Sequence, residues 1–235
     1  MVEESSQTMN FDFHIHTSYS YDSLLNPKKI AETVKKKCIS GIAITDHNTI
    51  NGALKLKSIA NEDFIVIIGS EIRTDKGDVI GLFLNEEIKS REFTQVSDEI
   101  KDQGGIVILP HPYKSELALN NELLEMVDLI EGLNARISIE KNFKARKLAK
   151  ESGIPYIGGS DAHTSYEIGQ VQNVISENKM LIDIEDIRNY LLKGKIRIKG
   201  KESPNHLRIL SRGIGKYKKE GMMNLLKISA RKIIR

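Results

Sequence analysis

The sequence predicts an α/β fold with a largely parallel sheet. Three observations carry that expectation. Short, apolar, β-branched runs recur from Phe11 to Gly159. Amphipathic stretches bearing helix-cap signals separate most of them. Residues suited to chemistry fall where the apolar runs end, which is where α/β folds place their active sites. Pattern alone leaves open a closed barrel or an open, doubly wound sheet.

In chain order the candidate strands are Phe11–His16, Gly41–Thr45, Phe64–Glu71, Asp78–Leu84, Ile106–Pro110, Leu129–Asn134 and Pro155–Gly159. Most are continuous and apolar, as strands buried on both faces are. Asn26-Pro27 reads as an N-cap followed by proline at the first helical position, opening a helix towards Lys37. Asn48 or Thr49 caps the next helix, which runs through Ile59. Thr94–Gln103 stops at Gly104-Gly105, a C-cap signal. Ser138–Glu151 stops at Ser152-Gly153, and Pro155 begins the strand after it.

At roughly 100–200 residues per domain, 235 residues allow one large domain or one domain with an appendage. With 40% hydrophobic and 29% charged residues, the chain is too apolar for wholesale disorder and can bury a sizeable core. Its longest apolar runs, such as Phe64–Ile68, fall far short of the ~20 residues a membrane helix needs. The acidic, polar first ten residues do not read as a secretory signal. A single cysteine, Cys38, excludes an internal disulfide framework and a thiolate zinc cluster, and points to a reducing cytoplasm. The net charge of +3 hides an asymmetry. Residues 193–235 hold fourteen Lys/Arg and two acids, against 21 and 30 in the rest. An acidic body suits cations; a basic tail suits nucleic acid, an anionic surface or an acidic partner.

Five of the six histidines fall at or just beyond a candidate strand end. His14 and His16 close the first strand, and His47, His111 and His163 follow later ones. Asp22, Asp46, Glu71 and Asp161 share these positions. Strand residues two apart project to one face, so His14 and His16 can bind a single ion. Asp161 and His163 repeat that spacing. Imidazole with carboxylate suits Mn, Fe, Zn or Co, and carboxylates can bridge two ions. Each motif alone has a plain structural reading. A His-x-His pair is more often a core or surface pair. Asp46-His47 can belong to a helix-capping loop, and Asp161-Ala162-His163 can be a polar turn. Five histidines falling independently at strand ends, each near a carboxylate, weigh for a metal centre.

The same segments carry a likeness. Phe13-His-Ile-His-Thr17, Ile44-Thr-Asp-His-Asn48, Gly69-Ser-Glu71, Leu109-Pro-His-Pro112 and Gly158-Gly-Ser-Asp-Ala-His-Thr164 together resemble the PHP family, named for the polymerase and histidinol phosphatase domain. They cover about residues 10–175 in the family's order. The last, followed by Glu167-Ile-Gly169, is most similar to the family's small stand-alone phosphoesterases.

The resemblance implies a distorted (β/α)7 barrel with two or three divalent ions (Mn, Fe or Zn) at its mouth. It implies that His14, His16, Glu71 and Asp161 hold the first ion. Glu71 then bridges to a second ion with His111, and Asp22, His47 and His163 hold a third. Glu71, His111, Asp161 and His163 are thereby expected at the reacting centre. Relatives often carry a histidine where this chain has Asp78, which either replaces that ligand or leaves the second site weaker. Asp46 is expected to orient His47 or brace its loop.

The expected reaction is hydrolysis of a phosphate ester by a hydroxide bridging two ions. Arg136, Lys114 and Arg73 each follow a motif residue and are candidates for holding phosphate; Asn134 is a candidate for substrate or metal. His206 lies outside every motif. The chain is expected to divide into a flexible leader at 1–9, a barrel at 10–200 and a basic helical tail at 201–235. Leu207, Leu210 and Ile214 have helical spacing, while Gly213, Gly215 and Gly221 break any single long helix. Three functions follow. The first is a phosphoesterase acting on a small phosphomonoester or a nucleotide. The second is an exonuclease on RNA or DNA ends, gripping through the tail. The third is a silent nucleic-acid-binding scaffold, disfavoured because every motif ligand is in place.

Overall fold

A computed structural model describes residues 7–114, 121–177, 183–204, 206–207, 209–211 and 213–218. The chain lays down β1 (Gln7–Ile15), α1 (Pro27–Lys36), β2 (Gly41–Ile44), α2 (Asn51–Ala60), β3 (Ile65–Thr74) and β4 (Gly77–Leu82). There follow α3 (Phe93–Asp102), β5 (Ile106–Leu109), α4 (Asn121–Glu125), β6 (Leu129–Asn134) and α5 (Ile139–Ser152). The last elements are β7 (Tyr156–Gly159), β8 (Val171–Glu177), α6 (Ile184–Leu192) and β9 (Arg197–Gly200).

The strands form one sheet in the spatial order β7-β6-β5-β4-β3-β2-β1-β8-β9. Its far end curls back onto β1. His16 N donates to Ala162 O at 2.9 Å, and Ala162 N donates to His14 O at 3.2 Å. The sheet is therefore a nearly closed barrel, which decides between the two architectures that pattern left open. Buried Asn173 of β8 fastens the lower part of this seam. Its side chain accepts from Gly158 N at 2.8 Å and donates to Gly158 O at 2.7 Å and Phe11 O at 3.2 Å.

Strand direction departs from the expectation in one respect. β1-β2-β3 and β5-β6-β7 are parallel, but β4 is antiparallel to both β3 and β5. The reason is the short connection at Asp75-Lys76, followed by Gly77 at φ 115°. So short a link makes a hairpin, never a parallel crossover. β8 and β9 were not expected. They carry Gln172, Asn173, Arg197 and Lys199, so they do not read as apolar runs. β8 begins pairing with β1 at Gln7, so residues 7–9 are strand and not flexible leader.

The helices obey their local signals. Asn26 Oδ1 accepts from Lys28 N at 2.9 Å, Pro27 opens α1, and Ile30, Ala31 and Val34 are buried. Ser138 caps α5, and Gly153 ends it in the left-handed conformation. At α2 the expected cap is displaced: the N-cap position is Ile50, which makes no side-chain cap bond, and Thr49 Oγ1 accepts from Asn51 N at 3.2 Å one residue earlier.

Every strand from β1 to β8 contributes to one interior cluster, which includes Phe11, Phe13, Ala43, Ile67, Ile80, Ile108, Leu129, Ile157 and Ile175. Ile187 and Leu191 of α6 join it. Phe11 and Phe13 stack at 5.6 Å. Truncating either to alanine should cost about 3–5 kcal/mol. The β1–β2 register slips between Asp12 and Ile15. Beyond that slip, Ile15 packs outward against α1 and α2, while His14 and His16 turn to the barrel mouth.

No helix among the described residues is long and apolar enough to cross a membrane. Of the expected basic tail, residues 206–207, 209–211 and 213–218 are helical; 219–235, with Gly221, lie outside the described residues.

Candidate metal centre

The strand ends converge. His14 and His16 come from β1 and the residue after it, and Asp22 from the loop before α1. His47 follows β2, Glu71 lies on β3, and His111 follows β5. Asp161 and His163 follow β7. These side chains form three overlapping groups: His14, His16 and Asp161; His14, Glu71 and His111; and His16, Asp22, His47 and His163. Within each group the donor atoms lie within 4.8 Å of one another.

Glu71 is the hub. Its Oε2 stands 3.5 Å from His14 Nε2, 3.2 Å from His16 Nε2 and 3.3 Å from His47 Nδ1; its Oε1 stands 2.9 Å from His111 Nε2. Burial raises the Glu71 carboxyl, but His47, His111, His14 and His16 outweigh it and hold the group well below the usual carboxylate range. At Asp161, burial is likewise outweighed by His14, His16 and the nearby cations. Burial works against charge on His14 and His16. Glu131 and Asp161 nevertheless pull His14 well above its ordinary value, and Asp161 and Glu71 pull His16 up to about 9.

Hydrogen bonding fixes which ring nitrogens face the centre. His14 Nδ1 donates to Glu131 Oε1 at 2.9 Å. His163 Nδ1 donates to the Asp161 carbonyl at 2.8 Å. His16 Nδ1 lies 3.1 Å from Ser20 Oγ, whose own proton goes to Asp46 Oδ1 at 2.7 Å, so His16 is the donor. In the neutral rings each Nε2 is then a lone pair. His14 Nε2 faces His16 Nε2 at 3.1 Å, and His163 Nε2 faces Asp22 Oδ2 at 3.0 Å. Asp22 Oδ1 is buried with no hydrogen-bond partner among the described residues. Facing lone pairs and an orphaned carboxylate oxygen are what a divalent cation satisfies. The nitrogen and oxygen donors fit Mn, Fe or Zn.

Two residues in this region hold unusual backbone. His111 at φ 31° and Asp161 at φ 52° lie in the left-handed region, which costs a side-chain-bearing residue of order 1–3 kcal/mol. His111 N donates to Glu131 Oε2 at 2.9 Å, which helps to hold that turn.

One supporting carboxylate carries little signal in the sequence. Glu131 joins His14, His111 N and the Asn134 amide, although in sequence it sits within an apolar strand run. A lone acid inside Leu129-Ile-Glu-Gly-Leu-Asn134 was the available signal. Asp46 braces its loop, as expected, by accepting from Thr17 N, Thr17 Oγ1 and Ser20 Oγ. A Cβ on Gly52 would run into the Asp46 carboxylate. Glu167 accepts from His163 N and Thr164 N, each at 3.0 Å.

Over the centre lies a cleft of about 970 Å3. Lys114 Nζ reaches 3.4 Å from His111 Nε2. Burial lowers this amine, but Glu71, Asp161 and Asp78 outweigh it and keep it protonated. Arg136 bonds Ser211 Oγ at 2.9 Å and lies 3.5 Å from Glu167. Asn134 Nδ2 donates to Glu131 at 2.9 Å and lies 3.4 Å from Asp161 Oδ2, so its amide is engaged with the centre's own carboxylates. Asp78 takes Arg73 at 2.7 Å and stands outside the three groups. It lines the cleft because β4 runs antiparallel, which puts the start of that strand at the mouth. His206 is exposed.

A family model described as PHP-associated matches residues 140–196. Among solved structures, a two-domain protein from Bacteroides vulgatus, containing a predicted PHP-like metal-dependent phosphoesterase, superposes with a TM-score of 0.72. The match covers 88% of this chain and 70% of that one at 17% identity. This chain belongs to the PHP family. Two uncharacterized proteins of Methanocaldococcus jannaschii are similar in sequence. One is 42% identical over 159 residues, spanning 61% of this PHP chain and 93% of the relative. The other is 35% identical over 182 residues, spanning 72% and 71%.

Proposed function

We propose that this PHP protein is a divalent-metal-dependent phosphoesterase acting on a small phosphate ester, either a phosphomonoester or a nucleotide. The observation that carries the reading is the position of Glu71. One buried carboxylate stands within 3.5 Å of four imidazoles, beneath a cleft lined by Lys114, Arg136, Lys141 and Lys216. Two or three ions would be held by His14, His16, Glu71 and Asp161, by Glu71 with His111, and by Asp22, His47 and His163. When bound, such ions polarise phosphoryl oxygens and bring the pKa of water towards neutrality.

The chain's own residues supply the rest. Glu131, Ser20 and the Asp161 carbonyl aim Nε2 of His14, His16 and His163 inward. Lys114 and Arg136 place fixed positive charge where a phosphate would give up water. A cleft of about 970 Å3 matches a small ligand and can hold an ester for in-line displacement.

The test is a timed hydrolysis panel with Mn-loaded protein and a chelated control. Small phosphomonoesters, including histidinol phosphate and nucleoside bisphosphates, are set beside end-labelled RNA and DNA. Chelator-sensitive release of phosphate from a small ester is the expected result. Stepwise shortening of an oligonucleotide would replace this reading with the exonuclease. Absence of turnover with salt-sensitive binding to nucleic acid would replace it with the scaffold.

A further inference from the structure

The described residues between Ser203 and Lys218 lie across the barrel mouth, where Ser211, Gly215 and Lys216 line the cleft. Ser203 N donates to Ala135 O at 2.6 Å, and Ser211 Oγ accepts from Arg136 at 2.9 Å. Gly215 then lies close to the metal group nearest the cleft opening: a Cβ there would come within 3.3 Å of Asp22 Cβ. One turn later, Lys218 Nζ donates to Ser18 O at 3.0 Å and to Ser20 O and Ser23 O, each at 2.6 Å.

Those three carbonyls belong to the loop that carries Asp22. The same loop faces the centre with its hydroxyls. Ser20 Oγ accepts from His16 Nδ1 at 3.1 Å and from His47 N at 3.0 Å. Ser23 Oγ donates to His16 O and His163 O at 3.1 and 3.2 Å. Carbonyls on one side and hydroxyls on the other make this loop a spacer between the ammonium and the histidines. Drawing three carbonyls to one point fixes the curvature of the loop and with it the Asp22 carboxylate.

We propose that Lys218 is a positioning residue for the group formed by Asp22, His47 and His163, an inference that rests on the metal-centre reading above. It acts through the 18–23 loop and touches no ligand atom. Its removal should cost metal affinity on the scale of other groups that orient ligands, about 10–100-fold.

Electrostatics alone predicts the opposite sign. Removing a cation near the centre should tighten binding of a divalent ion. The experiment is a calorimetric titration of Mn2+ into chelator-stripped full-length protein. It compares wild type, Lys218→Met and Lys57→Ala, the last on the exposed face of α2. Metal-free unfolding temperatures are measured alongside. The expected result is one class of Mn2+ sites weakened about tenfold or more in Lys218→Met. The remaining sites and the metal-free unfolding temperature stay at the Lys57→Ala values. Unchanged or tighter Mn2+ binding in Lys218→Met overturns the inference. So does a uniform loss at all sites with a lowered metal-free unfolding temperature, which would make Lys218 a fold residue. If wild type itself takes up no Mn2+, this inference and the metal-centre reading fall together.

Discussion

Glu131 and His14 form a buried pair in which Nδ1 donates to Oε1 at 2.9 Å, so that the opposite ring nitrogen faces the candidate metal centre. Glu131→Gln keeps the shape but replaces the carboxylate. Metal affinity should fall about 10–100-fold, as for other groups that orient a metal-binding histidine. Glu131→Ala should do more, because His111 N and Asn134 Nδ2 also lose their acceptor. Each buried donor left unpaired costs about 1–3 kcal/mol. Metal titration separates the two variants by affinity, and denaturant unfolding separates them by stability.

His14→Ala and Asp161→Asn should each abolish most turnover while leaving the metal-free fold intact. Asparagine is chosen at 161 because it tolerates the left-handed backbone found there. Circular dichroism checks the fold, and the hydrolysis panel checks the rate. Near-normal turnover in both would remove the metal assignment.

Removal of metal should reverse the pH dependence of stability. In the metal-free protein, the surrounding carboxylates outweigh burial, raising His14 and taking His16 to about 9. A raised folded-state value means that protons stabilise the fold. That contribution is full below the unfolded value of roughly 6.5 and is lost as pH rises through about 9. With saturating Mn2+ the sign inverts, because ligands must shed protons to bind. Unfolding midpoints across this window should fall with pH in chelator and rise with pH in Mn2+. Parallel slopes would contradict the linkage.

Lys114→Met should weaken substrate binding more than it slows chemistry. Its ammonium lies at the edge of the centre, 3.4 Å from His111, and is not one of the metal-binding groups. KM for a small phosphate ester should rise about tenfold or more, in line with a lost charge-assisted hydrogen bond of roughly 1.5–3 kcal/mol. Steady-state kinetics on the Mn-loaded variant make the check. A fall in kcat at unchanged KM would place Lys114 in the chemical step.

Much of the fold and of the candidate site was legible because the candidate ligands lie at or near the ends of buried strands. His14, His47, His111 and His163 each follow an apolar run, and that pattern needs no knowledge of the tertiary structure. Glu131 was hardly legible because a single acid within Leu129–Asn134 does not say which face of the strand it takes; burial and its partners identify it. β8 was missed because the residues that work for the fold there, Asn173 above all, are polar. Lys218 is one lysine among many in a basic tail. Its three carbonyl partners lie some 200 residues earlier in sequence, and no periodicity reports on contacts of that range.

The seam between β7 and β1 is where the sheet closes into a barrel. Asn173 laces the lower half; above it, among the described residues, two backbone bonds join His14, His16 and Ala162, with Ser160 Oγ donating to His14 O and Ser23 Oγ reaching both His16 O and His163 O. The candidate ligands straddle that line, with His14 and His16 on one lip and Asp161 and His163 on the other. An ion shared across the lips would act as a clasp. Occupancy of the centre would then set how often the cylinder breathes open along its length, and amide exchange at Ala162 and His16 would record each opening.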